Sequence, residues 1–185
     1  MNSESDLIQR AQQFEEEALA RIYDTYSPGV YRYAVHLLGD AVLAEDCVAD
    51  TFYRYLQALR SGGGPRDHLQ AYLYRIAHNW ITDHYRRQPS QPLPLFEDQA
   101  SGEENLLQIV LNRIEKSQVR GAIRCLTPDQ RQVITLKYLE GWENETVALV
   151  LEKPLGAVKS LQHRALEALR RMLLPQKEEI YGTPE

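Results

Sequence analysis

The side chains best suited to chemistry in this sequence are the cations between Lys153 and Leu174. That stretch holds five cations and one anion, and its apolar residues recur every three or four positions, as in a helix with one buried face. The opposite face carries Lys159, Ser160, His163 and Arg164. Cations on such a face can neutralise phosphates and release counterions, which points to nucleic acid. The spacing alone also leaves open an ordinary solvated surface helix.

The residues before that stretch predict how the basic helix is held. Val147, Val150 and Leu151 follow the spacing of a short buried helix. Glu152–Pro154 then predicts a tight break, because proline cannot continue a helix but suits the first position of the next one. Gly156 leaves room for close backbone approach. The second helix is predicted to bury Val158, Leu161, Ala165, Leu169 and Met172. This outline is a helix-turn-helix, whose second helix fits a DNA major groove.

Charge and cysteine content limit which functions the chain can have. The 185 residues carry a net charge of −5, but the charge is segregated: the first twenty residues hold five anions and one cation. An acidic chain with basic segments argues against a simple nonspecific DNA coat and suggests one surface for DNA and another for a protein. Cys47 and Cys125 lack CxxC companions, which argues against a zinc site or a disulfide framework and favours two buried thiols.

The sequence predicts a cytoplasmic protein. No apolar stretch approaches the length needed to span a bilayer, so we expect no membrane segment. The first residues, MNSESDLIQR, lack the apolar core of a signal peptide. Unpaired cysteines are also typical of a reducing compartment.

Helical periodicity covers nearly everything outside one linker, so we predict an all-α protein of two small domains. The first domain spans residues 1–87, and residues 88–105 form a flexible, acidic linker with three prolines. The second domain spans residues 106–174, and residues 175–185 form a tail. The first domain is predicted to contain helices over Asp6–Tyr26, Pro28–Leu38, Asp40–Leu59 and Asp67–Arg87. The second is predicted to contain helices over 106–125 and 128–141 before the helix-turn-helix, with a capping box at Thr127–Gln130.

Aromatic residues divide between predicted core and open positions. Tyr23 is predicted to be buried on the first helix, and Tyr72 and Trp80 lie on the apolar stripe of the fourth. Tyr74 and Tyr85 could either pack in the core or stack on bases.

Five segments in order resemble a known family. They read YDTYSPGVYRYAVHLLGD, AEDCVADTFYRYL and AYLYRIAHNWITDHYRR in the first domain, then LTPDQRQVITLKYLEGW and PLGAVKSLQHRALEALRR in the second. Over about 19–87 and 106–173 the chain resembles bacterial RNA polymerase sigma factors of the extracytoplasmic-function (ECF) group of the sigma-70 family.

The resemblance implies a specific division of labour. The first domain would dock on the polymerase clamp, open the promoter −10 element and hold a flipped non-template base. The second would read the −35 element through the helix-turn-helix, and the linker would run toward the RNA exit path. Separating DNA strands costs about 1.4 kcal/mol per base-pair step in lost stacking, and a protein without ATP must offset this by binding the opened strand.

The resemblance also implies site residues. Candidate polymerase contacts are Asp46, Asp50, Thr51 and Arg54. Candidate −10 contacts are Ser61, Gly62, Gly63, Arg75, Asn79, Asp83, Arg86 and Arg87. Candidate −35 contacts are Gly156, Lys159, Ser160, His163 and Arg164. The implied partners are the polymerase core through its clamp and flap, promoter DNA and an anti-sigma factor, with no cofactor and no metal.

Three positions depart from the family pattern. Leu56 stands where many members have tryptophan, and Leu161 stands where many have arginine. The first helix of the helix-turn-helix usually begins with serine, whereas here Glu143 and Asn144 occupy that place, and Asn144 is the better N-cap.

Two other classes of function fit the sequence less well. A helix-turn-helix regulator that acts without core polymerase shares the C-terminal module, but the basic helix over Asp67–Arg87 argues against it. A helical enzyme is disfavoured because the sequence shows no paired carboxylates, phosphate-cradling glycine motif or nucleophile–base signature.

Overall fold

The structure is a computed structural model that describes residues 4–87 and 118–174. None of these residues forms a strand, and the all-α prediction is confirmed. The predicted linker at 88–105, most of the helix predicted over 106–125 and the tail at 175–185 lie outside the described residues.

Two helical units make up the described chain. The N-terminal unit (residues 4–87) contains α1 (Glu4–Gln12), α2 (Glu16–Leu38), α3 (Ala41–Arg60) and α4 (Leu69–Arg87). The C-terminal unit (residues 118–174) starts with helical residues 118–124. It continues with α5 (Pro128–Ile134), a π-helix (Thr135–Leu139), α6 (Asn144–Leu151) and α7 (Leu155–Leu173).

Two adjacent residues turn the chain from α2 into α3. Gly39 adopts φ 68°, and its N–H donates to the Val35 carbonyl at 2.8 Å, which satisfies one of the last carbonyls of α2. Asp40 then accepts from the Leu43 amide at 3.0 Å as the N-cap of α3. Both roles were predicted from the sequence.

Local signals also set the helix ends of the C-terminal unit. The predicted capping box is present: the Thr127 hydroxyl accepts from the Gln130 amide at 3.4 Å, and the Gln130 side chain accepts from the Thr127 amide at 3.1 Å. Glu152 adopts φ 51° at the end of α6, which makes the predicted tight break.

The helix boundary predicted at Ser27-Pro28 is wrong, because α2 continues through Pro28. A proline in a helix removes one backbone hydrogen bond, but the apolar stripe runs unbroken from Ile22 to Val30 on either side, both fully buried. Packing of that stripe outweighs the local signal. The break falls instead around Phe14, with φ 58°, where the Arg10 side chain bonds Glu15 across the turn.

Five further local predictions are wrong. Asn144 is the first residue of α6 and Glu143 is the N-cap, without a side-chain capping bond. Pro154 precedes α7 as its N-cap residue, since the helix begins at Leu155. Met172 lies beyond the buried part of α7 and is exposed. Tyr23 and Cys125 are also exposed, although Tyr23 packs its ring against Phe52 at a centroid distance of 4.8 Å.

Helix α4 lies at the centre of the molecule. Leu73, Ala77 and Ile81 are fully buried, and α4 packs against α2 and α3 on one side and α6 on the other. The same apolar cluster includes Val147 and Val150 of α6. The two units therefore share one core in the described arrangement.

The left-handed turn at Gly39 yields a stability prediction. Replacing Gly39 with alanine should lower the free energy of unfolding by about 1–2 kcal/mol, because a Cβ disfavours positive φ. Gly156→Ala is the matched control: it lies in α7, and an added Cβ would meet no atom within 4 Å. That change should be neutral or stabilising by up to about 1 kcal/mol. Urea denaturation of both variants measures the difference, and equal effects would contradict the role of Gly39.

Candidate nucleic-acid interface

The outer face of α7 presents the predicted −35 residues to solvent. Gly156, Lys159, Ser160, His163 and Arg164 are all exposed. His163 lies 3.8 Å from Glu167, and the Arg164 side chain donates to the Ser160 carbonyl at 3.4 Å. These contacts stay within α7, so the charged ends remain available to a duplex.

The opposite face of α7 packs against the rest of the C-terminal unit. Val158 and Ala165 are fully buried, and Ala165 packs in a small cluster with Leu126 and Ile134. On the flank, the Gln162 amide donates to the Tyr138 hydroxyl at 2.8 Å. Packing on one side of α7 thus leaves the basic side facing solvent. A helix that enters a DNA groove needs such an exposed side.

The loop between α3 and α4 is open and built on glycine. Gly62 and Gly64 have φ 72° and 101°, and the Gly63 amide donates to the Ala58 carbonyl at 2.8 Å. Ser61, Gly62 and Gly63 are exposed. Beside the loop lies an open cleft of about 600 Å³ lined by Arg54, Gln57, Ala58, Arg60 and Ser61. Arg54 is paired with Asp50, but the Arg60 guanidinium beside the cleft suits a phosphate or a base edge.

The predicted −10 residues of α4 do not share one environment. Asn79, Arg86 and Arg87 are exposed. Arg86 bonds Asp83 at 3.4 Å, one turn away. Arg75, however, is half-exposed and bonds Glu152 of the C-terminal unit at 3.4 Å, with its guanidinium 5.3 Å from the centre of the Tyr72 ring.

The outer face of α3 carries the predicted polymerase contacts. Asp46 is exposed, and Asp50 bonds the exposed Arg54 at 2.5 Å. Thr51 differs, because it is fully buried and lies behind this face. Next to it, burial raises the pKa of the Cys47 thiol to about 12, so that thiol stays protonated.

The largest feature that the sequence did not predict is the contact between the two units. The Tyr74 ring packs on Trp142 with centroids 4.4 Å apart, and its hydroxyl donates to Glu140 at 3.1 Å. Arg32 of α2 lies 3.6 Å from the same carboxylate, whose side chain is 3% exposed. Gln132 adds a bond to Thr82 at 3.4 Å. No periodicity in the sequence marks Glu140 or Trp142 as partners of α4.

The four aromatic residues of α4 that the sequence analysis named all pack in or against the core. Tyr74, left open by the sequence, is 1% exposed and belongs to the core. Tyr85 is half-buried and donates its hydroxyl to the Leu37 carbonyl. Tyr72 and Trp80 are half-buried at the edge of the core, where Trp80 stacks on His84 at 5.4 Å.

Residues 4–87 and 118–174 contain neither a metal-ligand cluster nor a candidate membrane span. There, no three His, Cys, Asp or Glu side chains group closely enough to hold a metal ion. None of the helices in these residues is long and apolar enough to cross a membrane.

Comparison with known proteins supplies the family. The Sigma-70 region 2 family model matches residues 22–90, and the Sigma-70 region 4 model matches residues 116–169. The chain is 32% identical to the ECF RNA polymerase sigma factor SigL of Mycobacterium tuberculosis over 160 residues, which cover 85% of this chain and 90% of SigL. This chain belongs to the ECF group of the sigma-70 family.

A second relative of this sigma factor is longer. The chain is 33% identical to the ECF RNA polymerase sigma factor BldN of Streptomyces coelicolor over 175 residues. The match covers 91% of this chain and 65% of BldN, so the chain spans about two thirds of that relative's length.

Solved structures share the fold of this sigma factor. The structure of CnrH in complex with the cytosolic domain of CnrY superposes with a TM-score of 0.67 at 22% identity, covering 90% of this chain and 94% of CnrH. Sigma factor RpoE, in complex with the anti-sigma factor NepR from Bartonella quintana, gives 0.64 at 22% identity, covering 87% and 98%.

One buried histidine makes the stability of the fold depend on pH. His78 on α4 is 9% exposed and lies 3.5 Å from the Tyr33 hydroxyl. Burial, with Lys153 nearby, lowers its pKa from 6.5 to about 4, although Asp129 and Glu152 act in the opposite direction. The unfolded chain therefore binds more protons between those two pH values, so stability falls as pH drops through that window.

We predict that protonation of His78 lowers the free energy of unfolding by up to about 3 kcal/mol between pH 7 and pH 4. Urea denaturation across this range measures it, and His78→Asn should remove that part of the pH dependence. The control is His163→Asn, which removes an exposed imidazole and should leave the dependence intact. If both variants show the same pH dependence of stability as the parent protein, His78 is not the group that causes it.

Proposed function

We propose that this sigma factor directs promoter-specific initiation by RNA polymerase, reading the −35 element with α7 and capturing the opened −10 strand with the α3–α4 loop and α4. The observation that carries the proposal is the free basic face of α7. Lys159 and Arg164 are exposed there while the opposite side of α7 is packed on α5. Such cations can reach guanine edges or phosphates, and Ser160 and His163 offer further hydrogen bonds.

Strand capture would use the open side of the N-terminal unit. The glycine-rich loop and its adjoining cleft offer Ser61 and Arg60 to an unstacked nucleotide. Asn79 is exposed on α4 and has both donor and acceptor groups for a base edge. Arg86 and Arg87 would bind phosphates, and Asp83 would orient Arg86 through the bond they share. Binding of this single-stranded product offsets the lost base stacking, so no catalytic residue is needed.

Polymerase docking would use the outer face of α3. The exposed Asp46 and Arg54, with the half-buried Asp50 that bonds Arg54, provide a set of charges for the clamp. The buried Thr51 would support this face from behind rather than contact the polymerase in the described arrangement. The C-terminal unit would meet the flap.

The described arrangement cannot bind both promoter elements at once. Positions −35 and −10 are about 25 base pairs apart, or about 85 Å of duplex at 3.4 Å per pair. Arg75 bonds Glu152 directly, and the helical rise from Leu155 to Arg164 is only about 14 Å. The two DNA-binding surfaces are thus tens of ångströms closer than the promoter requires.

We therefore infer that the described arrangement is a closed state. Binding to polymerase would hold the two units apart, releasing Arg75 from Glu152 and exposing the side of α4 that α6 covers. An anti-sigma factor would act in the opposite direction by binding the closed state more tightly. RpoE, which shares this fold, was solved with the anti-sigma factor NepR.

The proposed function predicts transcription that depends on both core polymerase and the α7 face. With core polymerase and a promoter selected by this protein, Lys159→Ala and Arg164→Ala should each weaken −35-dependent initiation by about 1–3 kcal/mol if they contact bases. Run-off transcription measures this effect. Arg21→Ala, which removes an exposed cation from α2, should have no effect.

Two outcomes would contradict the proposed function. Tight binding to duplex DNA without initiation on any template would favour a regulator that acts without core polymerase. Equal losses on promoters that lack a −35 element would mean that the substitutions damage folding rather than base contacts.

The closed state has its own test at Glu140. Glu140→Lys would place an ammonium beside Arg32 and against the Tyr74 hydroxyl, contacts that exist only while the units are together. The substitution removes the acceptor of the buried Tyr74 hydroxyl, which costs about 1–3 kcal/mol, and it adds repulsion with Arg32. We expect a larger distance between fluorophores on α3 and α7, and tighter promoter binding by the free protein. Glu143→Lys, at an exposed carboxylate that bonds Lys137, is the control. An unchanged distance in Glu140→Lys would contradict the closed state.

A further inference from the structure

Helix α1 precedes the part of the chain that the region 2 family model matches, which begins at residue 22. The helix is nevertheless built into the N-terminal unit. Leu7, Ile8 and Ala11 are buried in the main apolar cluster, and α1 packs against both α2 and α3. Its position is therefore fixed by the same core that positions α4.

Two side chains of α1 reach the far end of the α3–α4 loop. The Glu4 carboxylate accepts from the Leu69 amide at 2.6 Å, across 65 positions of sequence. The Gln12 amide donates to the Pro65 carbonyl at 3.4 Å. These two bonds bracket the last stretch of the loop, from Pro65 to the first residue of α4.

The bonded stretch has little regular structure of its own to hold it. His68 adopts φ 49°, which is unusual for a residue with a side chain, and Gly64 has φ 101°. The sequence predicted α4 to start at Asp67, but the helix begins at Leu69. The carboxylate at its first amide comes from α1, where it satisfies a helical N–H that has no partner within the helix.

We propose that α1 positions the loop that captures the −10 strand, with Glu4 and Gln12 as positioning residues that hold the end of the loop and the start of α4. A carboxylate at a helix N-terminus is favoured by the helix dipole and forms a charge-assisted hydrogen bond. Neither residue touches DNA. They act by holding the loop in one arrangement, so that less conformational entropy is lost when a nucleotide is captured.

The surroundings of Glu4 support a fixed place for this carboxylate. Burial, and to a lesser degree the charge of Glu4, raise the pKa of Tyr26 on α2. The charge of Glu4 is thus close enough to α2 to act on Tyr26, while its carboxylate bonds the first amide of α4.

The inference rests on the proposed function, and the test separates the two. The variants are Glu4→Ala and Glu4→Gln, with Asp24→Asn removing an exposed carboxylate from α2 as the control. Three quantities are measured on the full chain: affinity for core polymerase, binding of the polymerase complex to a −35 duplex, and opening of the −10 element, followed by a fluorescent base analogue in the non-template strand. Amide exchange at Leu69 reports the contact itself.

Glu4→Ala should slow −10 opening by about fivefold, the size expected for loss of a helix cap, and speed exchange of the Leu69 amide. Glu4→Gln should lose less, because its amide oxygen still accepts the hydrogen bond. Polymerase affinity and −35 binding should not change, and Asp24→Asn should match the parent protein.

Faster Leu69 exchange with unchanged −10 opening would overturn the inference. An equal loss in polymerase affinity, −35 binding and −10 opening would also overturn it, since that indicates general loss of folding. If the unsubstituted protein opens no promoter with core polymerase, the proposed function fails before any variant is compared, and the inference fails with it.

Discussion

The packing of Tyr74 is the interaction on which the arrangement depends. Its ring lies between Tyr33 of the N-terminal unit, at 5.4 Å, and Trp142 of the C-terminal unit, at 4.4 Å. A Cβ on Gly29 would come within 2.5 Å of the Tyr74 hydroxyl, so only glycine leaves room for it there. The same hydroxyl donates a hydrogen bond to the Glu140 carboxylate. One side chain of α4 therefore joins the internal packing of the first unit to its contact with the second.

Helix α4 therefore has three distinct surfaces. One side packs on α2 and α3, a second packs on α6, and the remainder carries Asn79, Arg86 and Arg87 toward solvent. A helix covered on two sides has only a narrow exposed strip, and Arg75 lies at the edge of that strip, paired with Glu152. The residues that hold the units together and those proposed to hold the opened strand are thus neighbours on one helix.

Signals that act within one or two turns could be predicted from the sequence. The Thr127 capping box, the Gly39–Asp40 turn and the break at Glu152 follow from local chemistry and are present. Signals that depend on tertiary packing could not. Pro28 sits inside α2 because the stripe around it is buried, and nothing near Tyr74 in sequence identifies Trp142 as its neighbour. The exposed face of α7 could be predicted because it needs no tertiary partner. A face that stays unburied follows from the periodicity of the helix alone.

If the closed state is the resting form, as proposed, the shared core also sets the protein concentration at which polymerase becomes occupied. If only a fraction of the molecules is open at any time, the apparent dissociation constant for polymerase equals the intrinsic one divided by that fraction. Each 1.4 kcal/mol contributed by the contact around Tyr74 then demands about tenfold more free protein for the same occupancy. Under this linkage a cell could hold a small pool of the protein without engaging polymerase, and a modest rise in its amount would change the outcome. The strength of an aromatic contact inside the molecule would then set the concentration of protein needed to occupy polymerase.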